Sequence, residues 1–189
     1  MTSSDETAIS EDAFERVAAR VGSSRRGRPG AIAARVAVAC AEFNGGITER
    51  LLGGALDGLE ACAVAASTVQ VLWVPGAFEL PLAASHLLGG AAGAAPGDGR
   101  VDAVIALGAV IRGDTAHFDF VAGECARGLQ RVALDTGRPV VFGVLTTDTV
   151  AQALERCRDD ATNKGYEAAL TALAMVDVLG PLAAPAALR

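Results

Sequence analysis

The segment Val101-Asp102-Ala103-Val104-Ile105-Ala106-Leu107-Gly108-Ala109-Val110-Ile111 decides the fold of this chain, because it is apolar almost throughout and rich in Val, Ile and Ala. A run of this kind, bounded by turn residues, is typical of a strand that is buried on both faces of a parallel sheet. The next segment, Arg112-Gly113-Asp114-Thr115-Ala116-His117-Phe118-Asp119, is polar, and apolar residues then recur at helical spacing between positions 121 and 133. The pattern predicts a buried strand, a short polar loop and a helix.

The polar loop carries His117, one of only two histidines in the chain. Open α/β sheets place ligand chemistry where a strand ends and a helix begins. An imidazole titrates near neutral pH, so His117 is the natural general acid or base. Gly113 lets the backbone turn, and Asp114 and Thr115 are residue types that begin helices, so the loop could also bind an anion. The other histidine, His86, lies within a helix of Ala and Leu, where a structural role is favoured.

Strands and helices alternate along the rest of the chain. Apolar runs predict further strands at 35–40, 69–74 and 139–144, each followed by a helical pattern. This alternation predicts right-handed crossovers and a four-stranded parallel sheet with helices on both faces. In the flavodoxin-like strand order 2-1-3-4 of such a three-layer α/β sandwich, a crevice opens between strands one and three. Phe43-Asn44 and the segment 113–117 would meet in that crevice.

The last two helices have specific signals at their ends. Thr149 with Gln152 three residues later fits a capping box. The inward face of that helix is expected to consist of Val150, Ala153, Leu154 and Cys157. The final helix is expected to run over 163–179 and to end at Gly180-Pro181.

At 189 residues the chain is most simply one domain with a flexible arm at its N-terminus. Residues 1–30 are expected to form that arm, with a short helix at 11–21, because Ser-, Arg- and Gly-rich stretches flank it. The α/β domain is expected to span 31–180, followed by a tail at 181–189. The Gly- and Ala-rich stretch 89–99 is expected to be a surface insertion.

Charge and cysteine content exclude several classes of protein. The net charge of −6 argues against a nucleic-acid groove and against a polybasic membrane patch. No apolar run is long enough to span a bilayer, and the N-terminus lacks a hydrophobic secretion core, so the cytoplasm is expected. The cysteines Cys40, Cys62, Cys125 and Cys157 form no CxxC pair, so buried thiols are expected, with no metal site and no disulfide framework.

The loops suit a small molecule without a redox cofactor. GxxxxGK and GxGxxG are absent after the first strand, and GxSxG is absent, which argues against a nucleotide site and against a hydrolase elbow. Phe43 and Phe78 fall in loops of a chain that is only 4% aromatic, where each ring could stack on a planar heterocycle or anchor its loop. Arg156 could bind phosphate or lie on a solvated helix face. The pattern predicts a site with a histidine, aromatic walls and an anion pocket.

Five segments together carry a resemblance to a known family. They are Phe43-Asn44, Pro75-Gly76-Ala77-Phe78-Glu79-Leu80-Pro81, residues 108–119, Phe142-Gly143-Val144-Leu145-Thr146-Thr147 and Asn163-Lys164-Gly165. In this order they resemble the 6,7-dimethyl-8-ribityllumazine synthase family over about residues 33 to 178. The segment at 108–119 is the most specific of the five.

The resemblance implies a condensation in riboflavin biosynthesis. A ribitylaminopyrimidinedione would react with 3,4-dihydroxy-2-butanone 4-phosphate, releasing phosphate and water without a cofactor or metal. By similarity, Phe43 stacks on the pyrimidine ring and His117 moves protons. The other substrate contacts that the resemblance implies are Ala77, Phe78 and Glu79 to the ribityl chain, the backbone of Ala109, Val110 and Ile111 to the heterocycle, and Asp114, Thr115 and Arg156 to the phosphate.

The resemblance also implies a site shared between subunits. Phe142, Arg156 and Lys164 would reach the crevice from a neighbouring copy, within a homopentamer or a 60-subunit shell of twelve pentamers. Glu42 departs from a position that is often basic in the family, and 158–162 lacks the glycines and lysine usual in shell-forming members. We expect pentamers, with the shell as the close alternative.

Two alternatives remain open from the sequence. A binding or shell protein could keep the pocket for a flavin or lumazine without turnover, although His117 and Arg156 argue for the enzyme. A phosphosugar isomerase on the same architecture would leave the aromatic loops unexplained. Fold alone does not separate these hypotheses.

Overall fold

The computed structural model describes residues 9–30, 33–89 and 101–180. Four strands form one parallel sheet in the order β2-β1-β3-β4. The strands are β1 (Val36–Ala41), β2 (Val69–Val74), β3 (Ala103–Ile111) and β4 (Val140–Thr147); the helices are α1 (Glu11–Ala18), α2 (Gly45–Ala61), α3 (Leu80–Leu87), α4 (His117–Thr136), α5 (Val150–Glu155) and α6 (Lys164–Leu179). The predicted flavodoxin-like α/β sandwich with strand order 2-1-3-4 is confirmed.

The central pair of strands is buried on both faces. Every residue of β1 is buried, and so is every residue of β3 except Ile111. Alternate side chains therefore enter two different cores. On β3, Ile105 and Leu107 pack in the core that α2, α5 and α6 cover, whereas Val104 and Ala106 pack in the core that α3 and α4 cover. Full burial of a side chain such as Leu107 stabilises the fold by about 1.5–3 kcal/mol.

Helices α2 and α6 approach each other closely through glycines. A Cβ on Gly58 would lie 2.9 Å from the Cβ of Ala169 and 3.0 Å from the carbonyl oxygen of Tyr166. Asn163, which is buried, caps α6 by accepting a hydrogen bond from the N–H of Gly165 at 2.8 Å. Its amide nitrogen donates to the carbonyl oxygen of Arg50 at 3.0 Å, so the helix start is tied to α2.

The structure corrects the expected inward face of α5. Ala153 and Cys157 are buried, as expected, but Val150 and Leu154 are exposed. A helix of six residues contacts the core along one narrow stripe, which Ala153 fills here, and Cys157 is buried just beyond the end of the helix. The capping signal is confirmed, because the Thr149 hydroxyl accepts from the N–H of Gln152 at 3.1 Å.

The N-terminal segment includes the expected short helix, which ends at Ala18 rather than at Val21. Further on, the N–H of Arg28 donates to the Asp177 carboxylate on α6 at 3.0 Å, and Gly27 lies against Ala174. The predicted mobility of residues 1–30 and the division into arm, domain and tail remain predictions. Residues 1–8, most of the predicted insertion at 89–99 and the tail at 181–189 lie outside the described residues.

The four cysteines are free thiols, of which Cys62 is half-buried and the others are buried. Burial raises the pKa of the Cys40 thiol to about 11 and that of Cys125 to about 12, so both stay protonated at neutral pH. Within 9–30, 33–89 and 101–180, none of the helices has the length and apolar character needed to cross a membrane.

We predict that Gly58→Ala destabilises the protein by about 1–3 kcal/mol, because the added methyl group must push α6 away from α2. Denaturant unfolding followed by circular dichroism measures the change. Gly53→Ala is the matched control on the same helix, since no atom lies within 4 Å of its added Cβ. That control should be neutral or stabilising by up to about 1 kcal/mol. Equal stability of the two variants would contradict the close packing of the helices.

Candidate active site

A cleft of about 650 Å³ opens at the carboxyl ends of β1, β2 and β3. It collects nine of the residues that the sequence singled out for the site. They are Phe43, Ala77, Phe78, Glu79, Ala109, Val110, Ile111, Thr115 and His117. Asp114 is exposed and stands between Gly113 and Thr115, both of which line the cleft.

Backbone hydrogen bonds hold the loop after β1 in place. The N–H of Glu42 donates to the carbonyl oxygen of Val74 at 2.8 Å, and the N–H of Phe43 donates to that of Pro75 at 3.1 Å. On the other side, the amide nitrogen of Asn44 donates to the carbonyl oxygen of Ala109 at 2.9 Å. Two backbone bonds and the Asn44 side-chain amide thus anchor the loop, while Phe43 remains 69% exposed at the cleft.

The loop after β2 forms a second wall. Gly76 is extended, and Ala77–Glu79 form a short 3-10 helix that leads into α3. The ring of Phe78 is exposed at the cleft. The Glu79 carboxylate folds back over the loop, because its Oε2 atom lies 3.2 Å from the place where a Cβ on Gly76 would stand. A larger residue at position 76 would press on that carboxylate.

His117 is the first residue of α4 rather than part of the loop before it. Its N–H donates weakly to the Thr115 hydroxyl at 3.4 Å, and the side chain is exposed at the cleft. Ala116 occupies the N-cap position without a side-chain cap, so the first N–H groups of a 20-residue helix lie next to the cleft. Such a helix start favours a bound anion.

Three predicted site residues lie elsewhere. Phe142, Arg156 and Lys164 line a separate groove of about 870 Å³ along β4. Phe142 pairs with Ala106 in the middle of the sheet register and is 42% exposed. Arg156 donates to the carbonyl oxygen of Gln152 at 2.8 Å, and Lys164 pairs with Glu167 at 2.6 Å. β4 is an edge strand, and this groove shares no lining residue with the cleft of its own chain.

No group of three or more His, Cys, Asp or Glu side chains is arranged for a metal ion in the part of the chain that the structure describes. The groups that line the cleft include an imidazole, a carboxylate, a hydroxyl, backbone amides and the rings of Phe43, Phe78, Phe118 and Phe120. They suit binding of a planar, hydroxylated ligand and proton transfer to it.

Comparison with known proteins fits this site. The family model for 6,7-dimethyl-8-ribityllumazine synthase matches residues 33–180. The chain belongs to the 6,7-dimethyl-8-ribityllumazine synthase family. It is 54% identical to the 6,7-dimethyl-8-ribityllumazine synthase of Edwardsiella ictaluri over 147 residues, which cover 77% of this chain and 89% of that protein. It is 56% identical to the enzyme of that name from Pectobacterium atrosepticum over 147 residues, covering 77% and 90%.

In this member of the lumazine synthase family, Arg112 clamps the loop that carries the candidate site. Its Nε donates to Asp148 at 3.0 Å, and its Nη1 donates to Asp119 at 3.2 Å. The guanidinium also lies 4.0 Å from the centre of the Phe118 ring. The hydrogen bond to Asp148 is the main cause of the raised pKa of Arg112. The clamp joins the ends of β3 and β4 to the first turn of α4.

The sequence pattern places Arg112 in the polar segment but indicates no role for it. Its partner Asp148 is 36 positions away, so no local pattern indicates the pair. Asp119 is nearer, seven positions along, but an Arg–Asp pair at that spacing is common on solvated surfaces.

We predict that Arg112→Met raises amide hydrogen exchange severalfold at residues 113–119, because the first turn of α4 loses its link to β4. Mass spectrometry of the exchanged peptides measures the effect. Arg131→Met is the matched control, since it removes another exposed Arg–Asp pair from the same helix, between Arg131 and Asp135. Unchanged exchange at 113–119 in the Arg112 variant would contradict the clamp.

Proposed function

We propose that the protein catalyses the condensation of 5-amino-6-(D-ribitylamino)uracil with 3,4-dihydroxy-2-butanone 4-phosphate to 6,7-dimethyl-8-ribityllumazine, the penultimate step of riboflavin biosynthesis. The observation that carries the proposal is the cleft in which the Phe43 ring, the Phe78 ring and His117 come together. Membership of the lumazine synthase family supports the same reaction. The protein is therefore an enzyme of the transferase class.

The exposed end of β3 suits the heterocycle. The register between β1 and β3 ends at the pair Cys40–Leu107, whereas β3 continues to Ile111. Alternate residues of a strand point their N–H and C=O groups to the same side. Ala109 points its carbonyl oxygen to the β1 side, so the backbone groups of Ile111 also face the cleft. A planar ring stacked on Phe43 would pair its polar edge with this backbone.

The remaining contacts follow from the two loops. We assign the ribityl hydroxyls to Glu79, with Ala77 and Phe78 beside the chain. We assign the phosphate to the start of α4, where the Thr115 hydroxyl and the main-chain N–H of Asp114 and its neighbours are donors. The Asp114 carboxylate would repel a phosphate, so this residue contributes through its backbone.

The chemistry needs proximity and proton transfer. The ring amine of one substrate forms a C–N bond to the ketone of the other, with loss of water. Elimination of phosphate followed by tautomerisation leaves a second carbonyl group on the bound carbon chain. The ribityl-bearing amine attacks that carbonyl carbon, and loss of a second water closes the ring. Binding the two substrates side by side makes the condensation effectively intramolecular. His117 lines the cleft at the start of α4, next to the proposed phosphate position, where it can move protons during imine formation, phosphate loss and ring closure.

The proposed site is completed by a second copy of the chain. Phe142, Arg156 and Lys164 lie on the β4 edge of their own chain, so they serve a cleft only if a neighbour brings that edge to it. Exposed apolar side chains suggest that subunits pack together, notably Leu82 on α3 and Phe120 and Leu134 on α4. We propose a cyclic homopentamer in the cytoplasm, with the 60-subunit shell as the alternative assembly.

A protein that binds a flavin or lumazine without turnover is the less favoured alternative. Such a protein would need the aromatic walls but not the imidazole. His117 lies at the cleft together with Phe43, and this arrangement favours the enzyme.

We predict that the wild-type protein, mixed with both substrates, produces the lumazine, followed by its absorbance, and free phosphate in equimolar amounts. His117→Ala should lower kcat by about a hundredfold or more, because general acid–base groups contribute about 10²–10⁴-fold. His86→Ala is the matched control, since His86 is exposed on α3 and does not line the cleft. Binding of a lumazine without any condensation by the wild type would favour the non-catalytic alternative.

A further inference from the structure

Asn44 has a backbone conformation that few side chains adopt. Its φ and ψ angles of 62° and 39° lie in the left-handed region. Asn tolerates this region better than most residues, but the conformation is still uncommon outside glycine. Strained conformations of this kind persist where the surrounding structure holds them, and they cluster at functional sites.

The side chain of Asn44 does not cap helix α2, although Asn44 occupies the N-cap position. Asn44 is the N-cap residue of α2, where an Asn side chain usually accepts a hydrogen bond from the helix start. It makes no such cap. Instead, its amide nitrogen reaches β3 and donates to the carbonyl oxygen of Ala109 at 2.9 Å. The half-buried amide thus continues the β1–β3 contact beyond Leu107, where the ladder itself has ended.

This bond fixes the spacing between the two parts of the proposed heterocycle site. Phe43, which would stack on the ring, directly precedes Asn44. Ala109, which accepts the bond, lies on the strand end whose backbone would meet the ring's polar edge. The N–H of Phe43 is held separately from the β2 side by the carbonyl oxygen of Pro75. The Asn44 amide therefore links the Phe43 loop directly to β3.

We propose that Asn44 is a positioning residue for the pyrimidinedione substrate, acting through Phe43. This inference rests on the proposed function. The left-handed backbone of Asn44 turns the chain from β1 into α2. The side-chain amide of Asn44 holds the Phe43 ring at the distance from the β3 backbone that a planar ring requires. Loss of the hydrogen bond between the Asn44 side-chain amide and Ala109 should weaken binding of the pyrimidinedione. Binding of the butanone phosphate should stay unchanged, because that substrate is assigned to the start of α4.

Two substitutions at position 44 separate the effect of the hydrogen bond to Ala109 from the effect of the backbone conformation. Asn44→Gly keeps the left-handed conformation and removes the amide. Asn44→Asp keeps nearly the same shape and tolerance of that conformation, but a carboxylate cannot donate to the Ala109 carbonyl oxygen. Gly46→Ala is the control for changes at the start of α2, since no atom lies within 4 Å of its added Cβ.

The test measures KM for each substrate and kcat, together with calorimetric binding of the pyrimidinedione alone. For both Asn44 variants we expect KM and Kd for the pyrimidinedione to rise about five- to tenfold, the scale of one hydrogen bond. The KM for the butanone phosphate should stay within about twofold on the same scale. Gly46→Ala should match the wild type in every constant.

A second background shows whether Asn44 acts through Phe43. Phe43→Ala should itself weaken pyrimidinedione binding, and adding Asn44→Gly to it should then change Kd by less than about twofold, because coupled residues are not additive. Full additivity would overturn the inference, as would equal rises in both KM values or wild-type constants in the Asn44 variants. If the wild type neither binds the pyrimidinedione nor turns over, the proposed function fails, and the inference fails with it.

Discussion

The pairing of β1 with β3 governs the rest of this structure. The two strands run side by side in the centre of the sheet, and both are buried by helices on each face. Buried backbone groups must find hydrogen-bond partners, because each unpaired group costs about 1–3 kcal/mol. The ladder meets that need as far as Leu107. Beyond it, β1 turns into α2 while β3 continues, and the backbone that β1 no longer covers faces the cleft.

The candidate site is the consequence of that divergence. The three loops that follow β1, β2 and β3 surround the uncovered strand end and bring aromatic rings and an imidazole to it. Two polar side chains hold this arrangement together by hydrogen bonds between its elements. Asn44 links the first loop to β3, and Arg112 links the end of β3 to β4 and α4.

Much of the fold follows from hydrophobic periodicity. Strands buried on both faces produce continuous apolar runs, so β1 and β3 are distinctive in the sequence, and alternation with helices then predicts a parallel sheet. The meeting of Phe43-Asn44 with the segment 113–117 was also predictable, because loops at the carboxyl ends of parallel strands converge. The roles of Ala77–Glu79 and Ala109–Ile111 came instead from the family resemblance. The exposure of Val150 and Leu154 was not predictable, since periodicity does not show which of two neighbouring apolar stripes a short helix buries.

The hydrogen bonds of Asn44 and Arg112 that link these elements could not be predicted either. Asn44 and Ala109 are 65 positions apart, and their bond exists only because the sheet brings β1 and β3 together. An Asn before a helix predicts an N-cap by its local pattern, and here tertiary structure overrides that preference. Phe142, Arg156 and Lys164 differ in another way, because their proposed role depends on a second copy of the chain.

We propose the uncovered end of β3 as the reaction site, completed by the β4 edge of a neighbouring copy. The test mixes His117→Ala, which lacks the imidazole, with Arg156→Ala, which lacks the phosphate contact that the family resemblance implies. Each variant alone should retain little activity, and the two are unfolded and refolded together in equal amounts. In a ring of shared sites, half of the clefts and half of the adjoining edges are intact, so about one quarter of wild-type activity should return. Absence of any regained activity in the mixed assemblies would contradict the account, provided that each variant also folds and assembles when refolded alone.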